Sequence, residues 1–168
     1  MLEKEFKFKI ENKDEIIRKL FSLNFNDLGE NKQEDIYFDT EDLKLFNQGK
    51  ALRIRKEGKH FYLTYKNKVI RKRPKIRKEL TIRLNERQLR VMIEILNELG
   101  YNESLKIIKK RREFEKGKIK VAIDEVEGLG NFLEVEYESE KDAKELLSNL
   151  GLKIKNAIGL TYAEMLKI

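Results

Sequence analysis

The chain has 168 residues, of which 40% are charged and 40% hydrophobic, and its 37 Lys and Arg against 30 Asp and Glu give a net charge of +7; this is one domain's length with enough apolar content for a core. With no cysteine it has no disulfides, thiolate metal sites or cysteine catalysis, and a single histidine, His60, stands against a multi-histidine metal centre or a Ser-His-Asp triad. No apolar run approaches the roughly 18 residues of a membrane span, and the start MLEKEFKFKI lacks the pattern of a signal peptide, so a cytoplasmic protein is expected. The first element is a strand over 2–10, where charged and apolar residues alternate. A helix over 13–23 follows, with Asn12 and Glu15 at capping-box spacing. Alternation predicts strands over 34–39, 51–56 and 61–66, the last two joined by a turn at Glu57-Gly58-Lys59. A basic loop from Asn67 to Pro74 separates these from a strand over 76–83 and a helix over 86–99, which Asn85 and Gln88 open and Gly100 closes. Strands over 105–114, 118–124 and 132–138 come next. Helices over 140–150, opened by Ser139 with Asp142, and over 160–167 end the chain.

Strand, helix, three strands thus occur twice, the halves meeting near residue 75. This order predicts an α+β fold: eight mainly antiparallel strands in a barrel or strongly curved sheet with helices outside. On one strand face stand Glu3, Glu5, Lys7; Arg53, Arg55; Tyr62, Thr64, Lys66; Arg77, Glu79, Thr81; Lys109, Arg111, Glu113; Lys120, Asp124; and Glu134, Glu136, Glu138. The opposite faces are apolar, as in Phe6, Phe8, Ile10 and Leu133, Val135, Tyr137. Residues 50–83 hold 14 basic side chains against Glu57 and Glu79 alone, more than the excess of the whole chain. A solvated polar sheet face accounts for such alternation simply. If helices cover the apolar face of a closed sheet, the charges instead point inward and need water, metal ions or a polyanion, since an unpaired buried charge costs several kcal/mol, about the worth of a whole domain's margin.

Glu3-x-Glu5-x-Lys7 on the first strand resembles the N-terminal signature of the CYTH superfamily, the triphosphate tunnel metalloenzymes. Further pieces follow in family order: Asp35-Ile36-Tyr37-Phe38-Asp39-Thr40, Ala51-Leu52-Arg53-Ile54-Arg55, Tyr62-Leu63-Thr64-Tyr65-Lys66, Arg77-Lys78-Glu79, Lys109-Lys110-Arg111, Ala122-Ile123-Asp124, Leu129 through Glu136, and Thr161 through Leu166. The resemblance spans the chain and implies a single CYTH-like domain over 1–168, a closed eight-stranded β-barrel whose charged tunnel binds a triphosphate with a divalent metal. Thr81 stands where many members continue an acidic alternation, and Asn67-Lys68 replaces a common Gly-Pro.

On that reading Lys7, Arg53, Arg55, Lys66, Arg77 and Arg111 grip the triphosphate, arginines in bidentate fashion, with Lys109 and Lys120 in support. Lys56, Lys68, Arg71, Lys72 and Arg73 are rim charges that attract the anion. Glu3, Glu5, Asp124, Glu134 and Glu136 are the candidate ligands for Mg²⁺ or Mn²⁺, hard cations that take oxygen donors. Glu3, Glu5 and Glu79 are the candidate catalytic carboxylates, while His60 is assigned to a hairpin surface and Ile16, Leu20, Val91, Ile95, Leu146 and Leu150 to core packing. The expected substrate is inorganic triphosphate, ATP or thiamine triphosphate, with hydrolysis ahead of an adenylate cyclase reaction yielding cyclic AMP and pyrophosphate. A non-catalytic polyanion- or nucleic-acid-binding module is the remaining alternative; nucleic acid is disfavoured, and a homodimer is left open.

Overall fold

Strands that alternate charge with apolarity turn one face to a core and the other to an enclosed lumen when the sheet closes on itself, and this one does. The computed structural model describes residues 2–72 and 74–167. In chain order the elements are β1 (Leu2–Lys9), α1 (Lys13–Ser22), β2 (Asn26–Asp39), α2 (Lys44–Asn47), β3 (Ala51–Glu57), β4 (His60–Lys66), β5 (Arg71–Lys72) and β6 (Lys75–Leu84). The second half runs α3 (Glu86–Glu98), β7 (Asn102–Lys116), β8 (Ile119–Val126), β9 (Gly130–Tyr137), α4 (Glu140–Asn149), a 3₁₀ turn over Ile154–Asn156, and α5 (Tyr162–Lys167). The sheet order β1-β9-β8-β7-β2-β3-β4-β6 closes through a β6–β1 pairing, and every neighbouring pair is antiparallel. The expected eight-stranded barrel is therefore present, its halves meeting at Lys75.

Several details depart from the expected elements, among them α2 and the 3₁₀ turn, which no expected helix covers. β5 is a two-residue ladder on β6, outside the ring, within the stretch read as a loop. β2 begins at Asn26, well before the alternation does, because residues 26–32 are exposed on both faces, Leu28 included, and are held only by β7.

The outward apolar row of β1, β8 and β9 (Phe6, Phe8, Val121, Ile123, Leu133, Val135) is buried beneath Ile16 and Leu20 of α1 and Leu146 and Leu147 of α4. On the far side α3 lays Leu96, with Leu89, Met92 and Ile93, over Phe38, Ile54 and Leu63 of β2, β3 and β4. Tyr162 and Ala163 of α5 pack with Ile107, Val126 and Phe132, where the lumen-facing side chains turn apolar. The assignment of Val91 and Ile95 to the core is corrected: they are 48% and 45% exposed, as are Leu80 and Ile82 of β6 at 52% and 53%. The apolar arc of α3 is wider than the barrel surface it covers, and that helix leaves Leu80 and Ile82 on the outer face of β6 exposed.

The cap signals are realised. Asn12 accepts from the Glu15 amide at 3.1 Å and Ser139 from Asp142 at 3.3 Å. Asn85 and Gln88 form both bonds of a capping box at 2.9 Å, and α3 ends as Gly100 adopts φ +84°. Asn85→Ala should lower stability by about 1 kcal/mol, seen as a Tm fall of about 2–4 °C with the barrel intact.

Candidate functional site in the barrel lumen

The register decides which charges meet. Asp35 of β2 lies opposite Arg55 of β3, and the carboxylate takes a bidentate grip from Arg55 Nε at 2.7 Å and Nη2 at 2.8 Å. Arg53 Nη1 reaches the same carboxylate at 3.3 Å, while its buried Nε has no hydrogen-bond partner. Burial by itself raises a carboxyl pKa, but Arg53 and Arg55 outweigh it and hold Asp35 far below the carboxylate range. Sequence reasoning gives Asp35 no role in the site. The alternation Gln33-Asp35-Tyr37 was the available signal, and all three side chains turn out to be buried or half-buried.

A second cluster forms across β7, β8 and β9. Arg111 holds Asp124 through Nε at 2.7 Å and Nη2 at 2.5 Å, and also contacts Glu134. Lys7 pairs with Glu134 at 3.2 Å and Lys109 with Asp124 at 3.1 Å. The Tyr162 hydroxyl donates to Asp124 at 2.8 Å, and the Lys7 ammonium sits 4.1 Å from the ring centroid of Tyr162. Asp124 is fully buried with its oxygens committed to these donors. Burial and then Arg111 pull the Lys109 ammonium down to about 7 against the attraction of Asp124. Sequence reasoning gave Tyr162 no role in the site, since it lies on a helix and 38 residues from Asp124.

The third group is acidic. Glu5 lies directly opposite Glu136 in the β1–β9 register, an arrangement that is repulsive unless a cation intervenes. Burial, opposed by Lys120 and reinforced by Glu3, Glu5 and Glu79, pushes the Glu136 carboxyl up. Lys66 bridges Glu3 at 3.0 Å and Glu79 at 2.7 Å, Arg77 Nε donates to Glu3 at 3.2 Å, and Lys75 contacts Glu5. Lys75 is buried but went unassigned because it borders the basic loop, although it shares the parity of Arg77 and Glu79. Lys120 and Glu136 are exposed, which marks the solvent-facing end of the group. Among the described residues no three carboxylates already stand gathered as a metal site; lysines occupy them instead. Glu3, Glu5 and Glu79 nonetheless lie close enough to Glu136 to push its carboxyl up, and such oxygen donors would suit a hard divalent cation once those lysines turned elsewhere.

Thr81, where a further carboxylate was absent, pairs its hydroxyl with that of buried Thr64 at 3.0 Å. His60 is exposed, as expected, with Nδ1 at 2.6 Å from Arg83 Nη2. Of the rim cations, the Arg71 and Lys72 side chains and all of Arg73 lie outside the described residues; Lys56 and Lys68 are exposed. A cavity of about 390 Å³ adjoins Lys66 and Arg77, walled by Tyr37, Phe46, Leu52 and Leu105, with Asn47 and Ser104 supplying polar groups. Asp39 builds one wall by accepting the Leu45 and Phe46 amides of α2, both at 2.9 Å.

Residues 1–158 match the family model described as CYTH domain. A Methanocaldococcus jannaschii protein named "Putative adenylate cyclase" is 36% identical over 98% of both chains. The adenylate cyclase CyaB of Aeromonas hydrophila is 28% identical over 84% of this chain and 71% of its own length. Among solved structures, a Pyrococcus horikoshii protein matches with a TM-score of 0.84 at 28% identity over 98% of both chains. With that family match running from β1 through the last barrel strand, and the barrel closed around paired charges, the chain belongs to the CYTH domain family.

Proposed function

We propose that the chain is a divalent-metal-dependent phosphohydrolase that holds the triphosphate of a small molecule in the barrel and cleaves its terminal phosphoanhydride. The observation that carries this reading is the division of the lumen into an arginine-rich part and a carboxylate part. Arg53, Arg55 and Arg111 are fixed in place by Asp35, Asp124 and Glu134, and Arg53 Nε is a buried donor with no partner. Such a frame of fork-shaped donors fits phosphate oxygens. Lys7, Lys66, Lys109 and Arg77 line the same lumen and add the charge that a triphosphate requires, with Lys120 at the open end.

Glu3, Glu5 and Glu136 would hold Mg²⁺ or Mn²⁺, with Asp124 and Glu134 aiming Arg111 and remaining the outer candidates. When bound, the ion neutralises charge on the phosphoryl oxygens and makes water a stronger nucleophile. Lys66 and Lys75 now neutralise Glu3, Glu79 and Glu5; turning toward phosphate, they release these carboxylates. Anion and cation therefore bind with positive coupling. Glu79 would orient the attacking water; before substrate binds, Lys66 outweighs burial and draws its carboxyl down to about 2.

A second reading, adenylate cyclase, is favoured by the cavity beside Lys66 and Arg77, whose aromatic and aliphatic walls fit a nucleoside, and by the names of the relatives. One product assay separates the two. Purified protein is incubated with Mg²⁺ or Mn²⁺ and, separately, inorganic triphosphate, ATP and thiamine triphosphate. Orthophosphate release is expected. Cyclic AMP with pyrophosphate would replace hydrolysis by cyclisation, and tight, salt-sensitive binding without either product would leave a polyanion-binding module.

A further inference from the structure

Where α5 meets the barrel, three lumen cations share two carboxylates. Lys7 pairs with Glu134 at 3.2 Å, Lys109 pairs with Asp124 at 3.1 Å, and Arg111 contacts both acids. The group is deep, with Lys7 and Lys109 each 3% exposed and Asp124 fully buried. Beside the two ammoniums, in place of a third carboxylate, lies the ring of Tyr162, its centroid 4.1 Å from Lys7 Nζ and 5.1 Å from Lys109 Nζ.

That ring is itself held from several sides. Its hydroxyl donates at 2.8 Å to Asp124 Oδ2, the oxygen that also accepts from Lys109 and Arg111. Phe132 packs edge-on against it at 5.0 Å between centroids. The start of α5 is fixed by reciprocal caps, the Thr161 amide donating to Glu164 at 2.6 Å and the Glu164 amide to the Thr161 hydroxyl at 3.1 Å. The same segment grips Lys7 at both ends: the Ile158 amide donates to the Lys7 carbonyl at 2.7 Å, and Lys7 Nζ donates to the Leu160 carbonyl at 3.4 Å.

On the proposed function, in which this lumen holds a triphosphate, we infer that Tyr162 is a positioning residue for the phosphate-binding cations. Its ring sets Lys7 and Lys109, and its hydroxyl braces the Asp124–Arg111 pair; it acts on the anion through these groups. An aromatic face attracts an ammonium through its quadrupole but carries no net charge. A third carboxylate in its place would repel the incoming phosphate, whereas the ring and the Leu160 carbonyl do not. When phosphate oxygens take the Lys7 donor that Glu134 now holds, these neutral contacts keep the ammonium in place. An aliphatic side chain at position 162 would let Lys7 close onto Glu134 instead.

Isothermal titration of the full chain with tripolyphosphate, without metal, tests this. Tyr162→Phe keeps the ring, so its Kd should stay within about threefold of wild type, while Tyr162→Leu should raise Kd about tenfold. Lys7→Met should weaken binding as well. Because Tyr162 acts through Lys7, the two losses should not multiply: in Tyr162→Leu/Lys7→Met the combined loss should fall short of their product by about fivefold. A side chain that merely stabilises α5 would give losses that multiply. Where circular dichroism shows that Tyr162→Leu does not fold, Tyr162→Met, whose side chain fills irregular space, supplies both readings. An aliphatic variant that binds as tightly as wild type, a Phe variant as weak as the aliphatic one, or single losses that multiply in full would overturn the assignment while leaving triphosphate binding in place. A wild type that takes up no tripolyphosphate would overturn the proposed function, and this assignment with it.

Discussion

Replacing Glu3 and Glu5 together by Gln is expected to lower metal-dependent turnover about 10²–10⁴-fold, the range spanned by loss of positioned acid–base groups, while tripolyphosphate still binds. The two residues sit on one lumen face of β1, where Glu5 opposes Glu136 and Glu3 contacts Lys66 and Arg77. Their removal leaves the arginine frame of Asp35, Arg53 and Arg55 untouched, because that frame stands on β2 and β3. Anion affinity without metal should therefore hold or rise, since two repulsive carboxylates are gone and Lys66, Lys75 and Arg77 are released to phosphate. Isothermal titration with tripolyphosphate, with and without Mg²⁺, reads both effects. Wild type should bind the anion more tightly with the metal, whereas the double variant should lose that coupling. A variant that keeps the metal enhancement and the turnover would remove Glu3 and Glu5 from the metal site and the chemistry.

Alternation on β1, β3, β6, β8 and β9 made the barrel and most of its lining legible, because a strand with core on one side and a charged lumen on the other has a strict two-residue period. Glu3, Glu5, Lys7, Arg53, Arg55, Arg77 and Glu79 could be placed inward from that period once closure was assumed. Asp35 was harder to value. Its neighbours Gln33 and Tyr37 are as polar as a solvent-facing row, and only the β2–β3 register reveals that it meets two arginines. Lys75 follows the one proline in the chain and looked like loop, while Tyr162 depends on where α5 packs, which no local period encodes. The error on Val91 and Ile95 has the same root. Helical spacing shows that a residue lies on an apolar arc, not how much of that arc the barrel covers.

Asp35→Asn should be among the most destabilising single changes in the lumen, by about 3–5 kcal/mol, because it leaves two buried arginines short of a counter-charge. For a chain of this size that is a Tm fall of about 6–20 °C. The ion pairs are weak evidence of stability for its own sake, since an apolar replacement of all three residues would cost far less; on the proposed function they hold Arg53 and Arg55 ready for an anion. Tripolyphosphate, supplying oxygens in place of the lost carboxylate, should therefore raise the variant's Tm by more than it raises that of wild type. The pH dependence carries the same signature. Asp35's folded-state pKa lies below its ordinary value of 3.8, so its contribution is complete above that value and is lost as the pH falls through the folded-state value. Acid should accordingly narrow the gap between wild type and Asp35→Asn, most of it below pH 3.8. Urea unfolding at stepped pH, with and without tripolyphosphate, measures all of this. A gap that stays constant into strong acid, or a variant that gains no more from the anion than wild type does, would show that Asp35 does not act as the arginines' counter-ion.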